Sequence, residues 1–166
     1  MSQFKFNFTL PDKNKAFLVQ RFHNYDTTCL IDTGANVPIW FGDIDSFLRR
    51  FPDAFKTSYK TIISGLGQTP HINVPVYCIP EFRLIDDYNN CITFVNLLIP
   101  VLNSSKYSYH MIISLTMLNR YDFSFSYENS VLNGYFTLFT PKDTYFVRPI
   151  LTSGILDKIQ VFTQET

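Results

Sequence analysis

The chain has 166 residues, enough to bury a hydrophobic core without disulfides or metals. Hydrophobic residues make up 46% of it and charged residues only 17%, which argues against long disordered segments. Its 14 Lys and Arg balance its 14 Asp and Glu. No nucleic-acid partner is therefore expected, because a protein that binds nucleic acid needs a basic surplus to neutralise phosphates.

Strand-like patterns dominate the chain and predict a mostly-β fold. Period-two alternation or short apolar runs mark, in order, residues 4–10, 16–22, 27–31, 59–63, 72–79, 91–102, 111–113, 123–127 and 135–139. Two short helices are expected, one at 43–51 with Asp43 as its N-cap and one at 115–120. The tail from residue 142 is weakly patterned, with strand-like pieces at 145–147 and 159–162.

The cysteines and the hydrophobic segments indicate where such a protein would reside. Cys29, Cys78 and Cys91 are scattered and form no CxxC pair, and the three histidines are scattered too. We therefore expect buried reduced thiols, no metal and no cofactor. The N-terminus lacks the apolar stretch of a signal peptide, and no apolar run approaches the ~20 residues of a membrane span. A soluble, cytoplasmic protein with no membrane partner is expected.

The runs at 59–63 and 72–79 flank the segment Ser64-Gly65-Leu66-Gly67-Gln68-Thr69-Pro70. This arrangement predicts a long hairpin with a glycine-rich tip. Considered alone, such a tip is an ordinary exposed turn. A motif earlier in the chain gives it a possible function.

Asp32-Thr33-Gly34-Ala35 directly follows the apolar strand Cys29-Leu30-Ile31. Considered alone, Asp and Gly at the end of a strand can simply build a turn. The wider order of segments, however, resembles the retroviral-type (retropepsin-like) aspartic protease family. In that family a strand, Asp-Thr-Gly-Ala, a glycine-tipped flap hairpin, an apolar strand, an Ile-Ile-Gly or Ile-Leu-Gly segment and a short helix follow one another.

This chain supplies the same parts in the same order. They are Leu30-Ile31-Asp32-Thr33-Gly34-Ala35, Ile62-Ile63-Ser64-Gly65-Leu66-Gly67, residues 92–101, Met111-Ile112-Ile113-Ser114 and residues 115–120. The resemblance covers roughly residues 27–127, and Asn36-Val37-Pro38-Ile39-Trp40 looks similar to bacterial single-domain members. It implies one half-barrel domain over 1–166, with a core at about 16–140 and extensions at both ends.

The resemblance implies an aspartic endopeptidase with Asp32, Thr33 and Gly34 in its catalytic loop. Two carboxylates a few ångström apart do not both ionise, so one serves as acid while the other activates water. The chain contains one Asp-Thr-Gly, and Asp143-Thr144-Tyr145 lacks both the glycine and a preceding apolar strand. A homodimer is therefore expected, in which each copy brings its own Asp32 to a two-fold axis.

The resemblance also implies a peptide or protein substrate. Ala35 and the flap residues would bind it in an extended form, with the flap main chain pairing with the substrate main chain. The flap residues concerned are Ser64, Gly65, Leu66 and Gly67. By the same resemblance, Thr33 would hold the two catalytic loops together across the axis.

Ser114 departs from the family pattern, because glycine at this position lets two backbones approach closely behind the catalytic loop. The departure keeps two alternatives open. One is a catalytically weak or inactive dimeric binding or scaffold domain on the same fold. The other is a plain β interaction module in which the motif is a coincidence.

The remaining conspicuous residues suggest no second chemistry. His23, His71 and His110 have no nearby Ser or Cys that indicates a triad, so we expect them at the surface or in the core. Trp40 is expected to pack near the catalytic loop. The strands at 4–8 and 159–162 are the two candidates for an intersubunit sheet, because each would otherwise be an exposed apolar edge.

Overall fold

The computed structural model describes residues 3–8, 15–32, 34–64, 69–114 and 117, and the backbone of five later strands. Strands dominate these residues, so the predicted mostly-β class is confirmed, and the described part contains one α-helix, α1 (Ile44–Arg50). The strands are β1 (Gln3–Phe8), β2 (Phe17–Phe22), β3 (Tyr25–Asp32), β4 (Ile39–Phe41), β5 (Phe55–Ile63), β6 (His71–Ile85), β7 (Cys91–Leu102), β8 (Met111–Ser114), β9 (Tyr121–Glu128), β10 (Val131–Leu138), β11 (Arg148–Thr152), β12 (Ile155–Gln160) and β13 (Thr163–Glu165).

These strands form two sheets. The smaller has the order β1-β10-β9, and the larger has the order β11-β12-β5-β6-β7-β4-β8-β3-β2, with β13 pairing with β7. In the larger sheet β3 is antiparallel to β2 and parallel to β8. β4, a strand that the sequence patterns did not predict, joins β8 to β7. β3 therefore lies next to the edge strand β2 and is flanked by a strand on each side.

A tight turn between β2 and β3 sets their register. Phe22 pairs with Tyr25, so His23 and Asn24 alone make the turn, with φ angles of 49° and 70°. Two consecutive positive φ angles are typical of the two-residue hairpin turn that matches strand twist. The sequence patterns start this second strand two residues too late, at 27, because Tyr25 and Asp26 are polar strand residues with exposed side chains.

The first predicted helix is confirmed in type and position. Asp43 is its N-cap, with Oδ1 accepting a hydrogen bond from the Ser46 N–H at 2.6 Å. Phe47 is its fully buried residue and packs edge-on against Trp40. Of the second candidate, 115–120, only Met117 lies within the described residues.

The N-terminal strand is fastened to the larger sheet by a buried carboxylate. Asp86 Oδ2 accepts from the Lys5 N–H at 3.0 Å, and the Lys5 carbonyl accepts from the Asp87 N–H at 2.8 Å. Phe4 and Phe6 are buried in the main core, so the core extends N-terminally beyond the expected start at 16.

The strands considered for an intersubunit sheet are paired within the chain. β1 pairs with β10, β12 pairs with β11 and β5, and β13 pairs with β7. Cys29 and Cys78 are buried thiols, as predicted, and burial raises the pKa of each, whereas Cys91 is only partly buried. Within the described residues no helix is long and apolar enough to cross a membrane.

Candidate active site

Asp32 is the last residue of β3 and lies opposite Ser114, the last residue of β8. The three preceding β3 residues pair in parallel with Met111, Ile112 and Ile113, all of which are buried. The Asp32 side chain is only partly buried. The carboxylate therefore stands at the accessible end of a strand whose preceding residues are held in the core.

The loop after Asp32 folds back on the carboxylate. The Gly34 N–H donates to Asp32 Oδ1 at 2.9 Å, and the Ala35 N–H donates to the Asp32 carbonyl at 3.2 Å. A Cβ added to Gly34 would lie 3.2 Å from Asp32 Oδ1, tighter than an ordinary van der Waals contact. Glycine is therefore the residue that lets the loop approach the carboxylate this closely. Thr33 lies outside the described residues.

The predicted long hairpin is present as β5 and β6, and the end of it that carries the tip lies near the Asp32 loop. Ile63 and Val74, close to the tip, belong to one buried cluster with Phe17 and Ile112, and Ala35 packs against that cluster. Ser64 is exposed at the end of β5, whereas Gly65, Leu66 and Gly67 lie outside the described residues. The structure thus brings Ala35 and the tip end of the hairpin together.

Two tyrosines that the sequence patterns did not single out line the same cluster. Tyr109 lies 5.6 Å from both Phe17 and Phe41, and Tyr107 lies 4.3 Å from Phe41, between ring centroids. Burial raises the pKa of Tyr109, and Tyr107 and then Asp32 raise it further. Tyr109 is thus close enough to Asp32 to sense its charge. The sequence carried one sign of this packing: Tyr107 and Tyr109 stand two residues apart just before β8, so their side chains can lie on one face.

Behind the carboxylate, Thr28 of β3 and His110 exchange two hydrogen bonds. The His110 N–H donates to the Thr28 carbonyl, and the Thr28 N–H donates to His110 Nδ1, each at 2.9 Å. The His110 carbonyl accepts from the Phe41 N–H of β4 at 2.7 Å, and its ring stacks on Trp40. His110 therefore joins β3, β4 and the start of β8. Burial, and secondarily Arg50, lower its pKa.

Arg50, from the last turn of α1, completes this region. Its Nε donates to Thr27 Oγ1 at 2.7 Å, its Nη1 to the Ser46 carbonyl and hydroxyl, and its Nη2 to the Asp26 carbonyl at 3.0 Å. The guanidinium also lies 5.3 Å from the centre of the Trp40 ring. One side chain thereby ties α1 to β3 five and six residues before Asp32. The sequence patterns gave no reason to distinguish Arg50 from Arg49.

The other carboxylates whose contacts are described bind groups away from Asp32. Asp43 caps α1, Asp86 holds β1, Asp26 lies 3.8 Å from Arg21, and Glu81 pairs with Arg83 at 2.6 Å. Among the residues that the structure describes, no group of three His, Cys, Asp or Glu side chains could hold a metal ion.

Comparison with known proteins finds a likeness in structure but none in sequence. No protein-family model and no curated protein sequence matches the chain. The crystal structure of a retropepsin-like aspartic protease from Rickettsia conorii is similar over 81% of this chain and 90% of that one, at 12% sequence identity and a TM-score of 0.48.

Proposed function

We propose that this protein is an aspartic endopeptidase that works as a homodimer, with the two Asp32 carboxylates forming its catalytic pair. The observation that carries the proposal is the setting of Asp32. It stands at the accessible end of a buried strand, with Oδ1 held by the Gly34 N–H, and it forms no ion pair among the described residues. A carboxylate in this setting is accessible to substrate and is not neutralised by a basic side chain.

The chemistry needs a second carboxylate, because one must accept a proton while the other donates one. The unprotonated Asp32 takes a proton from water as the water oxygen attacks the peptide carbonyl carbon. The protonated Asp32 of the other copy gives its proton to the carbonyl oxygen. A proton then passes to the amide nitrogen, the C–N bond breaks, and an acid and an amine are released. No covalent intermediate forms.

A second copy is the source we propose for that carboxylate. The described carboxylates with known contacts are engaged as a helix cap, a strand fastening and two surface ion pairs. A two-fold dimer brings two copies of one residue to its axis. The expected substrate is an extended, largely apolar peptide segment, because the side chains of Ile62 and Ile72, near the hairpin tip, are apolar and exposed.

The decisive experiment replaces Asp32 with Asn and measures cleavage of a peptide library between pH ~3 and 8. We expect activity to fall by at least about 10²-fold, because an amide neither accepts the proton from water nor shares one. Asp26→Asn is the matched control, since Asp26 is an exposed carboxylate on the same strand. Equal activity of Asp32→Asn and wild type would refute the proposal.

Assembly gives an independent test. Activity per subunit should fall on dilution below the dimer dissociation constant, because each subunit brings half of the catalytic pair. Sedimentation on the same dilution series should show the matching loss of dimer. A monomeric mass at concentrations where activity per subunit is constant would contradict a shared site.

The burial of Ser114 favours a second candidate, a non-catalytic dimeric binding domain on the same fold. Ser114 is fully buried directly opposite Asp32, where the family has glycine. A dimer with no turnover in wild type and measurable turnover in Ser114→Gly would support this candidate.

A further inference from the structure

We infer that His110 is a positioning residue for the strand that carries Asp32 and that it holds this strand only while its imidazole is neutral. Any effect of His110 on peptide cleavage rests on the proposed function. Its role in holding β3 rests on the geometry of its hydrogen bonds alone. The inference concerns a side chain that makes no contact with Asp32 itself.

The hydrogen-bond geometry determines which nitrogen of His110 carries the proton. A main-chain N–H is always a donor, so the bond from Thr28 N to His110 Nδ1 at 2.9 Å requires Nδ1 to accept. The neutral ring therefore carries its proton on Nε2. Protonating Nδ1 removes the acceptor and leaves the Thr28 N–H facing another donor.

The surroundings of the ring oppose a positive charge. Arg50 Nη2 lies 3.4 Å from Nε2, where both atoms are donors, so this contact is not a hydrogen bond. The titratable and charged groups on the neighbouring elements are Arg49 and Arg50 on α1, Tyr25, Asp26 and Cys29 on β3, and Tyr109 beside His110. Neither His110 nor Arg50 forms a salt bridge with a carboxylate in the part of the chain that the structure describes. Among the described residues, therefore, no carboxylate is paired with the ring to neutralise an imidazolium.

The hydrogen bonds between Thr28 and His110 lie where their loss would affect Asp32. Thr28 and His110 are the residues just before the parallel ladder that starts at Cys29 and Met111 and ends at Asp32 and Ser114. The His110 carbonyl also accepts a hydrogen bond from the N–H of Phe41, the last residue of β4. Protonation would therefore loosen the start of the ladder that sets the place of Asp32.

The direction of the pH effect follows from proton linkage. The folded protein holds His110 neutral, and the unfolded chain protonates it near the ordinary value of about 6.5. The unfolded state then binds more protons as the pH falls through that value. The contribution of neutral His110 to the free energy of unfolding is therefore complete above pH ~6.5 and is lost progressively below it. The proposed protease would thus have an acid limit set by its scaffold rather than by its carboxylates.

The test uses three histidine variants in the Asp32→Asn background, in which self-cleavage cannot interfere, and compares each with that background protein. Thermal unfolding is followed from pH 5 to 8. The unfolding midpoint of the background protein should fall as the pH drops below ~6.5. His110→Asn should remove most of that fall, because the amide oxygen accepts from the Thr28 N–H without titrating. His23→Asn, at an exposed turn residue with positive φ, is the matched control and should keep it. His110→Leu should be less stable at every pH.

Amide NMR of the same background protein supplies a second readout that needs no histidine substitution. The Thr28 amide signal should move together with the His110 ring signal as the pH falls. An unchanged pH dependence in His110→Asn, or a His110 that titrates without any response at Thr28, would overturn the inference. If the acid sensitivity is found but wild type cleaves no peptide, the proposed function fails and the structural inference stands.

Discussion

Two regions of β3, only four residues apart, are held in opposite ways. At Asp32 the side chain is partly exposed, and the loop donates one N–H to the carboxylate and one to its carbonyl. At Thr28 both main-chain groups are bonded to His110, and Arg50 binds the adjacent Thr27 and Asp26. A reacting carboxylate has to stay accessible, so its placement has to come from the rigid region behind it. Mutations in the two regions should therefore separate stability from activity.

The largest effect is expected at Arg50. Arg50→Lys keeps the charge but loses the planar fork that bonds Thr27, Ser46 and Asp26 together. We expect the free energy of unfolding to fall by roughly 2 kcal/mol, because charge-assisted hydrogen bonds contribute about 1.5–3 kcal/mol each and lysine retains some of them. Urea unfolding at one fixed protein concentration measures the change.

Arg49→Lys is the matched control for Arg50→Lys. Arg49 is the exposed neighbour on the same helical turn, and its substitution should change the free energy of unfolding by less than about 0.5 kcal/mol. Equal effects of the two substitutions would mean that the region behind Asp32 does not depend on the Arg50 fork.

The sequence predicts most of the first hundred residues of the fold, because the signals there are local. The cap at Asp43, the long hairpin of β5 and β6 and the apolar run of β7 follow from patterns within single segments. β4 was missed because its three residues are all apolar and buried, so they show no alternation of apolar and polar side chains. The parallel pairing of β3 with β8 joins residues about eighty positions apart, and only the family resemblance suggested that these segments belong together.

For the candidate site, the sequence indicated the Asp32 motif but not the residues that hold its strand in place. Asp32, Gly34 and Ala35 were predicted, and the structure places them within one loop. Thr33, Gly65, Leu66 and Gly67 lie outside the described residues, and the functional roles of all the predicted site residues remain predictions. His110 and Arg50 were not expected at the site, because a single histidine and one of two adjacent arginines carry no signal until the fold brings them to β3. Long-range contacts of this kind are invisible to local patterns.

Gly34→Ala should lower activity and leave stability nearly unchanged, whereas Arg50→Lys should mainly lower stability. The new Cβ would lie 3.2 Å from Asp32 Oδ1, so the carboxylate has to shift by a few tenths of an ångström. We expect kcat/KM to fall about 10-fold, since small misplacements of reacting groups are costly. The free energy of unfolding should change by less than about 1 kcal/mol, because Gly34 is exposed and alanine adopts its backbone conformation without strain.

Asn36→Ala, in the same exposed loop, is the control for Gly34→Ala and should leave kcat/KM unchanged. Peptide cleavage and urea unfolding on the same preparations give both quantities. A Gly34→Ala protein with full activity would mean that the loop tolerates displacement of the carboxylate, and the contrast between the two regions would lose its functional meaning.

The smallest effect is expected at the other end of α1. Asp43 Oδ1 accepts from the Ser46 N–H at 2.6 Å and so holds the first turn of the helix whose last turn carries Arg50. Asp43→Ala should lower the free energy of unfolding by about 1 kcal/mol, the usual contribution of an N-cap. Asp45→Ala removes an acidic side chain from the same turn without removing the cap, so it should cost only about 0.3 kcal/mol. Activity should be unchanged in both variants, because Arg50 is held by its own hydrogen bonds to β3. If Asp43→Ala reduced activity as strongly as Gly34→Ala, the helix would position Asp32 through its whole length rather than through Arg50 alone.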